Sequence, residues 1–484
     1  MINLYSEESA KIIVKYIEDN QDRIVTNTKL FDIYEGEIGT LLGQKMIADL
    51  GQDSYLHAKE RKCPINVLIR MIDKLSKIYQ QEPKREVING KESDKKILDK
   101  FEDLLDINHK LNTNNELWNL YRNSLLQIGI NEKIPFVRSI PNNKFLVMNT
   151  SEVDPTSPDL VILFMNTIVD DLGVVNQIYW VYTDDQFCIY DSRSKIRYDI
   201  LSSLGQDGTI PTRSKPFCYL NASENLAMPK PQNDTLDMTL QIPLLLSDTG
   251  YIAKFSAYSI MYGIDVDYKK MAMSPNVFWN FSSDPESDKN PSVGTVKPEG
   301  DIDQLIKLAI SQMSLWLDTK GIKVGSIGDA TIDNASSGIA KLIDQADVTE
   351  IRNFQATIYT HFEKKFWDLL LHEIYPFWKE QDLIDDYGTF TIGASVATSF
   401  RPQTTLVDKG EQVTILKAEV DAGFTTKRRA IKELNPDMTD KEIDDLLAEI
   451  DNETEVQVIN NESTKEQDAN KNNTEDTTGD NGET

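Results

Sequence analysis

The stretch Ser336–Tyr375 constrains this chain most. It holds no proline, and no glycine after Gly338. Ile351, Phe354, Ile358, Phe362, Phe366 and Leu369 or Leu370 step along it by three and four, which places them on one helix face. The stretch reads as one helix of about 38 residues, or two nearly collinear ones, reaching up to about 57 Å, with Pro376 as its end. Such a length exceeds what one small core needs, so the helix bridges layers or lines an assembly.

Two shorter helical patterns precede it. Leu244–Tyr262 is helical in pattern, weakened by Gly250 and with Pro243 at its start. Asp301–Asp318 carries Ile302, Leu305, Ile306, Ala309, Met313 and Trp316 as one apolar stripe, and Asp301 with Gln304 comes close to a capping box. Between them, Met273–Asp301 is irregular, with four prolines and the aromatic cluster Phe278, Trp279 and Phe281. Gly321–Asn334, spotted with glycine, leads on to the long helix.

Upstream, residues 7–20 form a helix with Ile12, Ile13 and Tyr16 on one side, and Thr26–Tyr55 is mixed. Asn66–Tyr79 is a helix on Leu68, Ile72, Leu75 and Tyr79, stopped by Pro83. Lys91–Leu111 and Glu116–Ile128 are also helical in pattern. Then the period shortens. KFLVMNT, LVILFMNTIV, QIYWVYT and FCIYDSR are strand-like runs, and Asp184–Asp185 suits a hairpin turn. Residues 130–220 are thus β-rich, and PKPQNDTLD (Pro229–Asp237) reads as a linker.

Downstream, Phe390–Phe400 alternates like a strand. Val407–Asp421 is a helix with Gly423 as its C′ cap. Thr425 or Thr426 opens a further helix that Asn435–Pro436 stops, and Thr439 with Glu442 caps a last one running to Ile450. From Asp451 the chain has ten acids against two lysines and little to bury, so disorder is expected.

Composition narrows the function. The 484 residues are 40% hydrophobic and 27% charged, as in an ordinary soluble globular protein. No run of 18 or more apolar residues suggests a membrane span, and the first twenty residues do not read as a signal peptide. The net charge of −27 argues against tight wrapping of nucleic acid, while acidic walls allow a duplex to pass without sticking. Cys63, Cys188 and Cys218 form no CxxC pair and read as buried thiols in a reducing compartment.

Catalytic signatures are sparse. Gly36–Met46 lacks the hydroxyl and the preceding strand of a phosphate loop. No HExxH or GxSxG occurs. His361 and His372 lie eleven residues apart on the long helix and read as ordinary surface histidines rather than a metal pair. Asp385–Asp386 and Asp444–Asp445 read as solvated. The helical pair at 426–450 has a basic start, Lys427-Arg428-Arg429, but its second helix carries five acids and one lysine, which would repel phosphates. Packing is the better reading. No cofactor and no enzymatic activity are expected.

The order of these segments resembles the portal protein of tailed bacteriophages. The resemblance rests on helix Asp301–Asp318, a glycine-bearing loop, SSGIAKL (Ser336–Leu342) opening the long helix, FRPQTTLVDKGEQ (Phe400–Gln412), and the ending DAGFTTKRRAIKELNPDMTDKEIDDLLAEI. It covers most of the chain in element order and is specific across about 300–450; residues 1–60 have no clear counterpart, and Pro243 and Gly250 depart from an unbroken first stem helix. The resemblance implies an α+β, multi-domain portal fold of wing, stem, clip and crown. It is mainly helical, with a β-rich wing and a long tunnel-side helix. Residues 1–115 would be an N-terminal helical arm and start of the wing, 116–230 the wing α+β unit, and 231–264 the first stem helix. Residues 265–300 would be the clip, 301–320 the second stem helix, and 321–335 the tunnel loop. The long helix and wing strands would take 336–405, the crown 406–450, and an acidic tail 451–484.

The resemblance also implies roles. Phe278, Trp279 and Phe281 would meet a neighbouring subunit, the motor or the connector at the clip. Gly321, Gly325 and Gly328 would let the tunnel loop change shape, Lys320 and Lys323 would touch DNA phosphate there, and Asp329 and Asp333 would keep that contact brief. Ile431, Leu434, Ile443 and Leu446 would pack the crown. The implied partners are copies of the chain in a ring, commonly of twelve. The major capsid protein, the terminase large subunit, a head–tail adaptor and passing double-stranded DNA complete the set. The place would be the capsid vertex of the virion, with assembly in the bacterial host cytoplasm. Two other readings use the same residues differently: a scaffold or coiled-coil protein built on 336–375, and a nuclease with an acidic metal site at Asp385 or Asp386.

Overall fold

A computed structural model describes residues 3–149, 157–169, 173–204, 207–210, 212, 214–223, 226–257, 260–264, 292–296, 302–322, 338–400, 409–435, 443–444 and 446–448. Helices and strands are mixed, as in an α+β chain. The described residues fall into two compact units, one within Met1–Asp333 and Asp344–Gln403, the other within Asn334–Ile343 and Thr404–Thr484.

The first unit opens with helices Glu7–Asp19 (α1), Gln21–Tyr34 (α2), Ile38–Leu50 (α3), Gln52–Ala58 (α4) and Val67–Leu75 (α5). Strand Lys84–Ile88 (β1) and helices Glu92–Leu105 (α6) and Ile107–Tyr121 (α7) follow. The β-rich part comprises Asn123–Asn131 (β2), Ile134–Ile140 (β3), Phe145–Met148 (β4), Leu160–Phe164 (β5), Ile168–Val169 (β6), Val175–Asn176 (β7), Ile178–Tyr182 (β8) and Phe187–Asp191 (β9). Helix Tyr198–Ser203 (α8) and strand Phe217–Asn221 (β10) end it. Then come Asn233–Ala257 (α9), Ile260–Ile264 (β11), Ser292–Val296 (β12) and Ile302–Thr319 (α10). The long helix Gly338–Asp368 (α11), which belongs to this unit from Asp344 on, passes through a π turn, Leu369–Ile374, into Tyr375–Glu380 (α12), and Ser395–Ser399 (β13) follows.

Two antiparallel sheets frame this unit, β4-β5-β8-β9 and β10-β2-β3. The four expected strand-like runs supply β4, β5, β8 and β9, and the Asp184–Asp185 turn joins the last two. Helix α1 starts at Ser6, whose hydroxyl accepts the Ser9 N–H. It buries Ala10, Ile13, Val14 and Ile17 in one core with β4 and β5, while Ile12 faces outward instead of inward as expected. Strand β2 separates that core from a second: Leu125 enters the first, Leu126 and Ile128 the other. The adjacent pair Leu125–Leu126 interrupts the alternation at the start of β2, which is regular only from Leu126 to Asn131. That is why Glu116–Ile128 reads as a helix, whereas α7 stops at Tyr121 with Arg122 left-handed at φ 63° and a strand begins at Asn123. Glu132 and Lys133, both with positive φ, make the two-residue turn into β3.

Other boundaries also differ from expectation. Thr26–Tyr55 is helical almost throughout, in α2, α3 and α4. Helix α5 begins as expected, with the Asn66 side chain capping Ile69 N–H, but ends at Leu75; Ile78–Gln80 is a separate 3-10 turn and Pro83 leads into β1. The segment read as a linker holds the start of α9, which runs from Asn233 through Pro243, and Tyr262 lies in β11. Among the described side chains of α11, Arg352, Gln355, Tyr359, Phe362, Glu363, Phe366 and Trp367 are buried, while Phe354 is exposed. Pro376 does not end the helical run. Proline lacks an N–H and crowds the preceding turn, and the π turn just before it relieves that crowding. Within Phe390–Phe400 only Ser395–Ser399 is strand, because its partner β1 offers five residues for pairing.

In the second unit, Lys409–Asp421 (α13) ends as expected at Gly423, φ 79°. Gly423 N–H bonds to Val420 O and Phe424 N–H to Glu419 O, a Schellman cap. Thr426 caps Lys427–Leu434 (α14) through Arg429 N–H, and Asn435 ends it. Residues 443, 444 and 446–448 are helical. The Thr439–Glu442 box and the acidic tail lie outside the described residues. Among those residues no helix is long and apolar enough to cross a membrane.

Candidate functional site

Helices α9 and α10 form an antiparallel hairpin. At one end β11 pairs antiparallel with β12; at the other, Lys320 reaches Asp234 in the first turn of α9. The helices span about 37 Å and about 27 Å at a rise of about 1.5 Å per residue. Pro243 inside α9 removes one backbone N–H. Hydroxyls bond back along the helix around it, Thr239 to Thr235 O and Ser247 to Pro243 O. Ser247 Oγ also accepts Cys63 N–H at 2.9 Å, tying the helix to the segment after α4.

The base of the hairpin sits in a core of Leu236, Leu240, Trp316 and Leu317 with Leu68, Ile72 and Leu120. Away from it, α10 exposes apolar side chains. At about 100° per residue, Ile306 and Ile310 fall on one flank and Leu308 and Leu315 on nearly the opposite one. Leu308 is 46% and Leu315 70% exposed. Of the expected stripe, Ala309 and Trp316 are buried and Ile306 is exposed, and Ile310, Leu308 and Leu315, which lie outside it, are also uncovered.

Gly321 closes α10. Its N–H bonds to Asp318 O and Ile322 N–H bonds to Leu317 O, a second Schellman cap, with Ile322 and Leu317 both buried. At φ 73° and with Ile351 Cδ1 2.6 Å from where a Cβ would stand, the position requires glycine. Its role here is to end a helix against α11.

Lys320 is held inside the chain. Its Nζ lies 2.7 Å from Asp234 Oδ2 and 3.1 Å from Gln232 Oε1. Gln232 in turn donates to Leu120 O at 2.8 Å. Asn119 links this end to α11 by accepting from Gln355 Nε2 at 2.9 Å. One turn before Gln355, Arg352 is 5% exposed, and its Nη1 has no partner among the described residues. Burial lowers its pKa.

Of the other expected site residues, Lys323, Asp329, Asp333, Phe278, Trp279 and Phe281 lie outside the described residues. In the second unit Ile443 is fully buried, and Ile431, Leu434 and Leu446 are partly buried. Arg428 Nη2 meets Asp444 Oδ2 at 3.2 Å, so α14 and the residues after 443 lie side by side.

Spacing gave no hint of the strongest polar cluster. Glu363 on α11 has no exposed side-chain surface. It accepts from Arg85 Nε at 2.6 Å, Tyr79 OH at 2.8 Å and Thr398 Oγ1 at 2.8 Å. Arg85 also meets Glu102 at 2.8 Å. Burial works against the Arg85 charge, but the two carboxylates outweigh it and raise its pKa. The only local trace in the sequence is Glu363 four residues before Trp367, whose indole N–H faces it.

The elements of the competing readings are placed as follows. His361 Nδ1 meets Thr357 O and His372 Nε2 meets Ala394 O. Gly36–Met46 lies at the start of α3 rather than after a strand. Asp386 pairs with Lys379 at 2.8 Å. Among the described residues no group of three His, Cys, Asp or Glu side chains could hold a metal ion. Cys188 and Cys218 are buried, while Cys63 is partly exposed. Neither a protein-family model nor a curated protein matches the chain.

Proposed function

We propose that the chain is the subunit of a bacteriophage portal, a non-enzymatic ring at one capsid vertex through which double-stranded DNA is packaged and ejected. In this reading α9 and α10 are the stem, residues 265–300 the clip, 321–335 the tunnel loop and 406–450 the crown. Copies of the chain close a ring, twelve by the resemblance. The major capsid protein surrounds it, and the terminase large subunit and then a head–tail adaptor dock at the clip. The ring assembles in the host cytoplasm and remains in the virion.

The observation that carries the reading is the pair of uncovered apolar flanks on α10, Ile306 with Ile310 and Leu308 with Leu315. Cyclic assembly covers two different faces of every subunit, one by each neighbour. The net charge of −27 and the internal pairing of Lys320 suit a channel that lets phosphate slide past. A coiled-coil scaffold would instead need the apolar face of α11 free, and Tyr359, Phe362, Phe366 and Trp367 bury it in the chain's own core.

Sedimentation velocity tests this. The wild-type protein is expected as a ring-sized species and the double substitution Leu308→Asp with Leu315→Asp as monomers. A wild type that stays monomeric at high concentration, or a variant sedimenting like it, contradicts the reading.

A further inference from the structure

The end of the long helix faces a cavity of about 460 Å³, within the range of small-molecule sites. Its walls include Trp180, Tyr182 and Phe187 of the four-stranded sheet and Ile374, Phe377 and Trp378 of the helix end. Leu204 and Leu383, both partly uncovered, also line it. Among the described residues none that lines it carries a charge.

A second feature converges on the same place. The π turn Leu369–Ile374 immediately precedes Phe377 and Trp378, and Tyr375 N–H bonds to Leu370 O, five residues back. One extra residue in a helical turn rotates everything after it by about 100°. The turn therefore sets which side chains meet the cavity, and such turns recur at functional sites. Finally, Trp180, Tyr182 and Trp378 spend their side-chain N–H and O–H groups on no other described residue. None of the three is among the buried unpaired groups, so each reaches solvent and can donate to an acceptor that enters.

We propose that this cavity binds a flat, uncharged, apolar molecule that carries a carbonyl-type oxygen. Carbon walls supply the affinity, the aromatic faces select a planar shape, and the free donors orient the oxygen. The proposal is independent of ring assembly, since the described lining residues all belong to one chain.

The test uses the full-length protein and Nile red, a planar neutral dye with a ring carbonyl. Saturable binding of one dye per chain is expected, with a blue-shifted emission, and the anionic dye anilinonaphthalene sulfonate should bind about tenfold more weakly or worse. Leu204→Trp and Leu383→Trp, each placed at a partly uncovered lining position, should weaken Nile red about tenfold while leaving the thermal transition in place. Ile392→Ser, at an exposed position elsewhere, should change nothing. Non-saturable binding, equal binding of the anionic dye, wild-type binding by both tryptophan variants, or loss in Ile392→Ser overturns the proposal.

Discussion

Glu363 and Arg85, 278 residues apart in the chain, meet at 2.6 Å with at most 2% of either side chain exposed. The pair fastens the long helix to β1, and Thr398 Oγ1 brings β13 to the same carboxylate. Removing one partner leaves the other charged, buried and alone, which costs about 3–5 kcal/mol. Glu363→Ala should lose about that much in urea unfolding, and Glu363→Met combined with Arg85→Met should recover most of it. A single substitution costing under about 1 kcal/mol would contradict the account.

Arg352 is the opposite case. It is buried to a similar degree, yet its Nη1 has no partner among the described residues. Replacing it should relieve a desolvation cost rather than break a bond. Arg352→Met is expected to leave the thermal midpoint unchanged or to raise it. A midpoint falling as far as that of Glu363→Ala would show that the guanidinium is satisfied after all.

Thiol reactivity should follow burial. Burial pushes the Cys188 thiol up to about 11 and Cys218 up to about 12, and the thiolate is the reactive form. In native protein at pH 8, a disulfide reagent should titrate Cys63 alone; all three thiols should react once the chain is unfolded. Fast native reaction at Cys218 would contradict its placement.

Asp94 predicts a pH dependence. Burial raises its carboxyl, but the N–H groups of Lys91 at 2.6 Å and Thr391 at 3.0 Å outweigh that and hold it below the ordinary 3.8. A carboxylate depressed in the folded state contributes stability that is present above the ordinary value and lost as pH falls through the depressed one. Asp94→Asn should therefore be less stable by about 1–3 kcal/mol at neutral pH. Its deficit should shrink toward about pH 3. A deficit constant across that range would place the effect in packing instead.

Features set by neighbours in sequence were legible. Gly423 as a helix cap, Thr426 as an opener and the Asp184–Asp185 turn each depend on a few adjacent residues, and each stands where the sequence puts it. Features set by packing were not. Strand β2 sends the neighbours Leu125 and Leu126 into different cores, and that apolar pair at its start hid the boundary at Arg122. Pro376 read as a stop, yet a π turn carries the helix through, and Pro243 read as a helix start, yet it lies inside α9. The expected stripe of α10 took in Ile306 but not Ile310, Leu308 or Leu315, because periodicity picks out one face and passes over apolar residues off it. The Arg85–Glu363 pair left no trace in spacing, since its partners belong to distant segments.

Electron micrographs of the purified protein viewed down its axis test the central claim most directly. The account predicts closed rings of identical subunits around a hole wide enough for a DNA duplex, lost in Leu308→Asp with Leu315→Asp. Single particles without a central hole in the wild type, at every concentration tried, would contradict it.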